Sequence, residues 1–373
     1  MHFCVLVIAE DPEQALAPYN EFITEPEDFK YIKEFDVTKE HRERYDLTKV
    51  NRYLTPEGEL IDRLDLRCYR LLTPEEQAIY DATDAYEKPR LNVQVEYRFG
   101  SPRVFDPPKD WVLMEVPIKE LMTFLKFSTD YWGYPLLTKG DDPNFDTIHQ
   151  SGYVEVDPET MLVLRVVDRC NPNGKWDWYV HGGRWKTTLK LKPGALALEG
   201  GFAESSTHPG KKVPAAWAAM AEDVDWQAML SGPIETWKSD WHLARTALAE
   251  AGFPPDTTWG IPQDCPPDDR YNESWKKQPQ LAVISKAFEE RYGWLPATFL
   301  NSLSLPLEEF LSLLEATYCF TDYVVFQDQW KERSSGWDIN YHRDEYVTWK
   351  TKLTELVTTL PVGTRVTIVD CHV

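Results

Sequence analysis

The chain has 373 residues, of which 42% are hydrophobic and 13% aromatic, so it contains enough apolar material to bury a large core. Acidic residues outnumber basic ones by 61 to 40, and the formal net charge of −21 disfavours non-specific binding to nucleic acid or to an anionic membrane, because both need a basic surface. No apolar run is long enough to span a membrane, and Glu10 and Asp11 interrupt the apolar start, so we expect a cytoplasmic protein without a signal peptide.

The first 90 residues predict one buried strand and two surface helices. Residues 3–9 are a continuous β-prone apolar run, typical of a central strand buried on both faces. Residues 38–51 and 73–86 have helical patterns. In the second of these, Thr73 is placed to cap the helix and Glu76 stands at the capping-box position three residues later.

The middle of the sequence predicts mainly strands. Residues 91–99 alternate apolar and polar side chains, as in a half-exposed strand. Two apolar runs on either side of the turn sequence Asp157-Pro158-Glu159 predict a hairpin. The elements expected here are strands at 111–116, 153–156, 161–167 and 187–191 and a helix at 118–127.

The last part of the sequence returns to strands after a long helical region. Residues 205–320 have helical periodicity, with tryptophans that we expect to fill helix interfaces. Because β-prone runs stand at both ends of the chain, we predict an α+β fold in which a mixed or antiparallel sheet contains both terminal strands. The predicted domains are an α+β core of residues 1–204 plus 321–373 and a helical insertion of 205–320, with later elements at 323–326 (strand), 345–359 (helix) and 364–369 (strand).

Residues 171–185, NPNGKWDWYVHGGRW, combine turn formers, aromatic rings and charges more densely than any other stretch. Glycines allow tight reversals of the backbone, rings can stack on a base, and the planar guanidinium of Arg184 suits bidentate contact with a phosphate. The segment therefore predicts a site for a nucleotide or another phosphorylated aromatic ligand. The residues expected to bind that ligand are Asn171, Asn173, Lys175, Trp176, Trp178, Tyr179, Arg184 and Trp185.

A purely structural role for the same segment is the alternative. The tryptophans would then anchor the loop to the core, and Asp177 would pair internally with Lys175 or Arg184. Rings that flank a cation are common in such structural clusters.

A second candidate feature is the C-terminal sequence Asp370-Cys371-His372. Alternation along a strand places Asp370 and His372 on one face, where with Asp177 or His181 they could act as general acid and base or hold a metal ion that activates water. The alternative is that these side chains form hydrogen bonds that tie down the last strand. Cys371 would point away from His372, which argues against a Cys–His nucleophile.

Several common classes of site have no support in the sequence. No Walker loop, GxGxxG, GxSxG or kinase motif is present, which excludes the nucleotide-hydrolysing, dinucleotide-binding and esterase classes that carry them. The cysteines lie far apart, without CxxC or zinc-finger spacing, so we predict no structural zinc and no disulfide framework, and we assign no metal site and no cofactor. They are Cys4, Cys68, Cys170, Cys265, Cys319 and Cys371.

Five blocks of sequence carry a resemblance to known proteins: residues 2–8, 16–21, 171–185, 223–226 and 360–373, the last containing TIVDCHV. In the same order from the first residue to the last, they resemble proteins encoded by tailed bacteriophages and prophages. Residues 326–333 and the pair Gly336-Trp337 also fit the pattern. The resemblance implies an intracellular setting in an infected bacterium, and it carries no activity, so no catalytic residue is transferred from it.

Three functions follow from these features. The first, which the sequence favours over the other two, is a non-enzymatic binder of a small phosphorylated or nucleotide ligand, which in a phage would counter a host defence signal. The second is a phosphodiesterase-type hydrolase that uses Asp177, His181, Asp370 and His372. The third is an acidic protein-interaction or DNA-mimic inhibitor with a host protein as its partner.

Overall fold

The computed structural model divides the chain into two compact units. The first unit comprises Met1–Phe22 and Asn173–Val373, and the second comprises Ile23–Pro172. The structure describes residues 2–82, 95–98, 100–145, 148–204, 212–259, 278–293, 302–333 and 342–373.

In the first unit, a seven-stranded sheet is flanked by helices. Its strands are β1 (His2–Ile8), β12 (Trp178–His181), β13 (Glu199–Glu204), β14 (Lys212–Met220), β15 (Tyr323–Phe326), β16 (Gln329–Glu332) and β17 (Arg365–His372). The helices are α1 (Pro12–Leu16), α5 (Trp226–Leu230), α6 (Ile234–Glu250), α7 (Pro279–Tyr292), α8 (Leu307–Thr317) and α9 (Arg343–Thr358).

The second unit contains one four-stranded sheet and two three-stranded sheets. Its helices are α2 (Thr38–Leu47), α3 (Pro74–Ala82) and α4 (Phe124–Lys126). The sheets are β2 (Lys33–Asp36), β11 (Val163–Cys170), β10 (Gly152–Val156) and β9 (Leu136–Thr138); β4 (Leu60–Asp62), β3 (Lys49–Leu54) and β8 (Val112–Pro117); and β5 (Tyr69–Leu71), β7 (Ser101–Phe105) and β6 (Val95–Arg98).

The two terminal strands are neighbours in the seven-stranded sheet, which confirms the predicted α+β fold. The strand order is β13-β14-β17-β1-β15-β16, and β12 pairs with the end of β17 that β14 leaves open. Strands β1 and β17 are antiparallel, with His2 opposite His372 and Leu6 opposite Ile368, whereas β15 runs parallel to β1. The sheet is therefore mixed.

Both faces of β1 and β17 are buried, and for β1 the continuous apolar run predicts this burial. Leu6 and Ile368 lie on one face and pack in a core cluster with Leu353 of α9. Val5 and Val369 lie on the opposite face, in a second cluster that covers the sheet from the side of α1. The centre of the sheet is thus held by apolar contacts from two layers.

Several local predictions in the second unit are confirmed. Thr73 and Glu76 form the expected capping box, in which the Glu76 amide donates to the Thr73 hydroxyl at 3.2 Å and the Thr73 amide donates to the Glu76 carboxylate at 2.8 Å. Strands β10 and β11 form the predicted hairpin. These elements depend on short-range signals, which a sequence records directly.

Other local predictions are wrong where pairing or packing outweighs local preference. The helix that begins at Thr38 ends at Leu47, because the next residues form β3 and pair with β8. Residues 118–127 form a short 3-10 turn, the three-residue α4 and the start of a π turn instead of one helix. Residues 187–191 form no strand and contribute only an isolated bridge from Leu191 to Val224.

The predicted helical insertion contains a strand of the main sheet. Residues 212–220, KVPAAWAAM, form β14, although alanine favours helices, because pairing with β13 and β17 compensates for the weak β preference. Trp217 accordingly lies on a strand and not between helices. Along the chain, the boundaries of the two units fall between residues 22 and 23 and between residues 172 and 173. The predicted division at 205–320 stays a prediction.

Ile368→Ala is expected to lower the free energy of unfolding by about 2–5 kcal/mol, because it leaves a cavity under a side chain that is 0% exposed. Urea denaturation followed by circular dichroism measures the loss. Val362→Ala, at an 85% exposed position, is the control and should cost almost nothing. A loss below about 1 kcal/mol for Ile368→Ala would contradict the placement of β17 at the centre of the sheet.

Candidate functional site

Three strands bring two histidines and a tryptophan into one row at the end of the main sheet. His372 of β17 is paired with His2 of β1 on one side and with Trp178 of β12 on the other. The His372 ring stacks on the Trp178 ring at 5.2 Å and 13°, and the centroids of the two imidazoles are 5.0 Å apart. We call these three side chains, with the carboxylates of Asp177 and Asp370, the histidine cluster.

Each imidazole of the histidine cluster is paired with its own carboxylate through Nδ1. Nδ1 of His2 lies 3.0 Å from Oδ1 of Asp370, and Nδ1 of His372 lies 2.9 Å from Oδ1 and 3.1 Å from Oδ2 of Asp177. An ionised carboxylate only accepts hydrogen bonds, so Nδ1 donates, and Nε2 of the neutral ring then carries the lone pair. This is the arrangement in which a carboxylate orients a histidine for proton transfer.

Asp370 is a buried carboxylate, only 3% exposed, whose two oxygens both have partners. Oδ1 faces His2, and Oδ2 accepts a hydrogen bond from the backbone amide of Arg184 at 2.9 Å. Buried charges are tolerated when they are hydrogen-bonded in this way. Asp370 therefore links β17, β1 and the turn that follows β12.

The turn after β12 requires glycine. Gly182 and Gly183 have φ angles of +68° and +44°, which residues with a side chain rarely adopt. A Cβ atom at Gly183 would also lie 2.5 Å from Oδ2 of Asp370. The Gly-Gly pair thus permits the close approach of the Arg184 amide to Asp370.

The pKa values of Asp177 and of the neighbouring Cys371 thiol shift in opposite directions. Partial desolvation raises the pKa of Asp177, but the hydrogen bond and charge of His372 and the nearby backbone amides lower it by more, so the pKa lies below its usual value. Burial raises the pKa of the Cys371 thiol, which stays protonated at neutral pH. Cys371 is 0% exposed and faces the opposite side of the sheet, so it is no nucleophile for this site.

The histidine cluster is open to solvent on the side of Trp178, which is 43% exposed. The side chains of His2 and His372 are 18% and 31% exposed. Arg184 is exposed, and its guanidinium forms no hydrogen bond or ion pair with the residues that the structure describes. Nε2 of His2 likewise has no hydrogen-bond partner among those residues.

Several residues predicted to bind a ligand have structural contacts. Trp176 is 5% exposed and belongs to the core cluster of β1 and α1, and the Tyr179 ring packs edge-on against it at 4.9 Å. Trp185 packs against the other core cluster. Nζ of Lys175 pairs with Glu332 at 3.1 Å. These contacts match the structural alternative for the rings. The predicted internal pairing of Asp177 with Lys175 or Arg184 is wrong, because Lys175 pairs with Glu332 and Asp177 pairs with His372.

The two asparagines of the same segment belong to different units. Asn173 is exposed in the first unit. Asn171 is 7% exposed and belongs to the second unit. Of the eight predicted ligand-binding residues, Trp178 belongs to the histidine cluster and Arg184 contacts it through its backbone amide, and both have exposed side chains.

His181 lies on the opposite face of the sheet from Asp370 and His372. Its ring stacks on Tyr179 at 5.8 Å, and its Nδ1 lies 3.6 Å from a carboxylate oxygen of Glu199. Alternation along β12 separates His181 from Trp178, so three of the four candidate catalytic residues come together and His181 does not.

The sequence analysis missed His2. A single histidine at the start of an apolar run has no motif to identify it. Its signal is positional: once β1 and β17 are paired as antiparallel terminal strands, His2 is the residue directly opposite His372. Register, which local patterns do not specify between distant strands, is the missing information.

Comparison with known proteins adds no family to this description. No protein-family model, no curated protein and no solved structure matches the chain. Within the described residues, no cluster of three or more His, Cys, Asp or Glu side chains has an arrangement that could hold a metal ion. None of the described helices has both the length and the apolar character needed to span a membrane.

Gly183→Ala is expected to destabilise the protein by more than the roughly 1–2 kcal/mol that a positive φ alone costs, because the new Cβ also collides with Asp370. Gly194→Ala is the matched control, since Gly194 has φ +83° but nothing within 4 Å. Chemical denaturation of both variants measures the difference. Equal losses would contradict the close packing of the turn on Asp370.

Asp177→Asn is expected to lower the melting temperature at pH 7, and the difference from the wild-type chain should shrink below about pH 4. The pKa of Asp177 is depressed in the folded protein, so its stabilising effect is present above the unfolded pKa and is lost as the pH falls through the folded pKa. Melting curves from pH 3 to 7 test this. The control is Glu250→Gln, which changes an exposed carboxylate that forms no hydrogen bond or ion pair with a described residue. A pH-independent difference for Asp177→Asn would contradict the His372 pairing.

Proposed function

We propose that the protein cleaves a phosphodiester bond in a substrate of the nucleotide class by general acid–base catalysis at the histidine cluster. The observation that carries this proposal is that two imidazoles, each oriented through Nδ1 by its own carboxylate, meet with ring centroids 5.0 Å apart. Two such rings can contact the same phosphoryl group. Proton transfer by positioned histidines accelerates reactions by roughly 10²–10⁴-fold.

In the proposed step, one imidazole is neutral and the other is protonated. The neutral ring removes a proton from the attacking water as the water oxygen bonds to phosphorus. The bond from phosphorus to the leaving oxygen breaks, and the protonated ring donates its proton to that oxygen. Asp177 and Asp370 hold the rings in the productive tautomer and stabilise the imidazolium that forms.

Trp178 and Arg184 supply the groups that would select a nucleotide. Stacking of a base on an exposed indole stabilises nucleotide binding by about 1–3 kcal/mol. The exposed guanidinium of Arg184 offers a planar pair of donors to phosphate oxygens. Because Asp177 and Asp370 are anionic, binding of the phosphate depends on Arg184 and on protonation of one imidazole.

A binder that leaves its ligand intact is the second candidate, and the exposure of Trp178 and Arg184 favours it equally. Mass spectrometry of a nucleotide mixture after incubation with the protein separates the two functions, because a binder returns the nucleotide unchanged and a hydrolase returns its products. The roles in countering host defence, in protein interaction and in DNA mimicry remain predictions from the sequence.

His2→Ala and His372→Ala are each expected to lower the turnover of bis(4-nitrophenyl) phosphate by about 10²–10⁴-fold. The rate of the wild-type chain should pass through a maximum with pH, because one ring must be neutral and the other protonated. Release of 4-nitrophenolate measures both effects.

His181→Gln is the control for these variants, since it changes a histidine of the same sheet that lies on the other face. Its turnover should stay close to that of the wild-type chain. Loss of activity in His181→Gln, with full activity in His2→Ala, would contradict the proposal, because the reaction would then take place on the face of the sheet that carries His181. If the protein turns over no phosphodiester but retains intact nucleotide, the hydrolase proposal is wrong and the protein is a binder.

A further inference from the structure

A groove separates the edge of the main sheet from helix α9. It encloses about 880 Å³, a volume in the range of small-molecule sites. Strands β15 and β16 form one wall, and α9 forms the other. None of the residues assigned to the histidine cluster lines it.

The floor of the groove is apolar, and its side chains are held in place by packing and by a hydrogen bond. Val324, Leu353 and Trp349 are all less than 10% exposed and belong to the core cluster under the sheet. The Trp349 indole is fixed by a hydrogen bond from its Nε1 to the carbonyl of Thr321 at 2.9 Å. An apolar group in the groove would therefore meet side chains that are already held in position.

Two lysines stand on opposite walls, Lys331 on β16 and Lys352 on α9. Neither ammonium forms an ion pair with a described residue, and Nζ of Lys331 lies 5.4 Å from the centroid of the Phe326 ring. Glu332 also lines the groove, but its carboxylate accepts from Lys175 and from the Trp330 indole. Glu355 is the remaining acid.

The charge of the groove is thus less negative than that of the chain around it. Two lysines that form no ion pair with a described residue face one acid that is already neutralised and one that is not, in a protein with a net charge of −21. An acidic protein repels anions in general, so an anion that binds here must be recognised locally. An apolar floor beneath two ammonium groups matches a molecule with an apolar body and an anionic head.

We propose that this groove binds a small anionic amphiphile, a molecule in which a single carboxylate or phosphate is attached to an alkyl or aromatic body. The apolar body packs on Val324, Trp349 and Leu353, and the anionic head lies between Lys331 and Lys352. This site is independent of the function proposed for the histidine cluster.

Three probes that share one alkyl chain test the proposal: dodecanoate, dodecanol and dodecyltrimethylammonium, each kept below its micelle concentration. Calorimetry or quenching of tryptophan fluorescence should show dodecanoate binding about tenfold more tightly than the other two. In the Lys331→Met/Lys352→Met double variant, the preference for the anion should disappear. Lys350→Met, on the same helix but outside the groove, is the control and should keep it.

Dodecanoate carries a carboxylate head group. Repeating the measurement with dodecyl phosphate shows whether the groove prefers a carboxylate or a phosphate. Equal affinity for the three probes would overturn the proposal, because recognition would then not depend on charge. Unchanged preference in the double variant would place the anion elsewhere, and failure of all three probes to bind would remove the site altogether. Bis(4-nitrophenyl) phosphate turnover is measured alongside, so that the outcome for the groove is read separately from that for the histidine cluster.

Discussion

The antiparallel pairing of β1 with β17 is the constraint on which the rest of the candidate site depends. Seven successive residue pairs join the two strands, and His2 faces His372 at one end of them. Side chains alternate along a strand, so a shift of one residue would send His2 to the opposite face and separate it from Asp370. The burial of Val5, Leu6 and Ile368 resists that shift, because it would move apolar side chains out of their clusters.

The register between β1 and β17 therefore determines both the apolar core of the sheet and the polar groups that meet at its end. Apolar burial stabilises the pairing, and the pairing determines which polar groups meet where the strands end. Asp370 extends this connection to β12, since its second oxygen accepts from the Arg184 amide. The positive φ angles of Gly182 and Gly183 make that contact geometrically feasible.

The sequence predicted those parts of the fold that depend on short-range signals or on apolar runs. The capping box at Thr73, the hairpin of β10 and β11 and the burial of β1 are of this kind. Strand β14 escaped prediction because its alanines favour a helix, and only pairing with two distant strands makes it a strand. Where tertiary contacts determine the secondary structure, local propensity predicts it poorly.

The candidate site was predicted only in part, because some of its contacts depend on pairing between distant strands. The density of rings and charges in residues 171–185 led to Asp177, Trp178 and Arg184, but composition alone did not separate these from Trp176, which is buried in the core. Strand alternation placed Asp370 and His372 together correctly. The position of His181 on the other face and the presence of His2 both depend on pairing between strands that are far apart in sequence.

We propose that His2 and His372 act together on one phosphodiester, and a double-mutant cycle tests this cooperation. Turnover of bis(4-nitrophenyl) phosphate is measured for the wild-type chain, for His2→Ala, for His372→Ala and for the variant that carries both substitutions. Catalytic groups that act as a unit have strongly non-additive effects, so we expect the double variant to be no more than about threefold slower than the slower single variant. A double variant whose loss equals the product of the two single losses would show that the histidines contribute independently and would contradict the account.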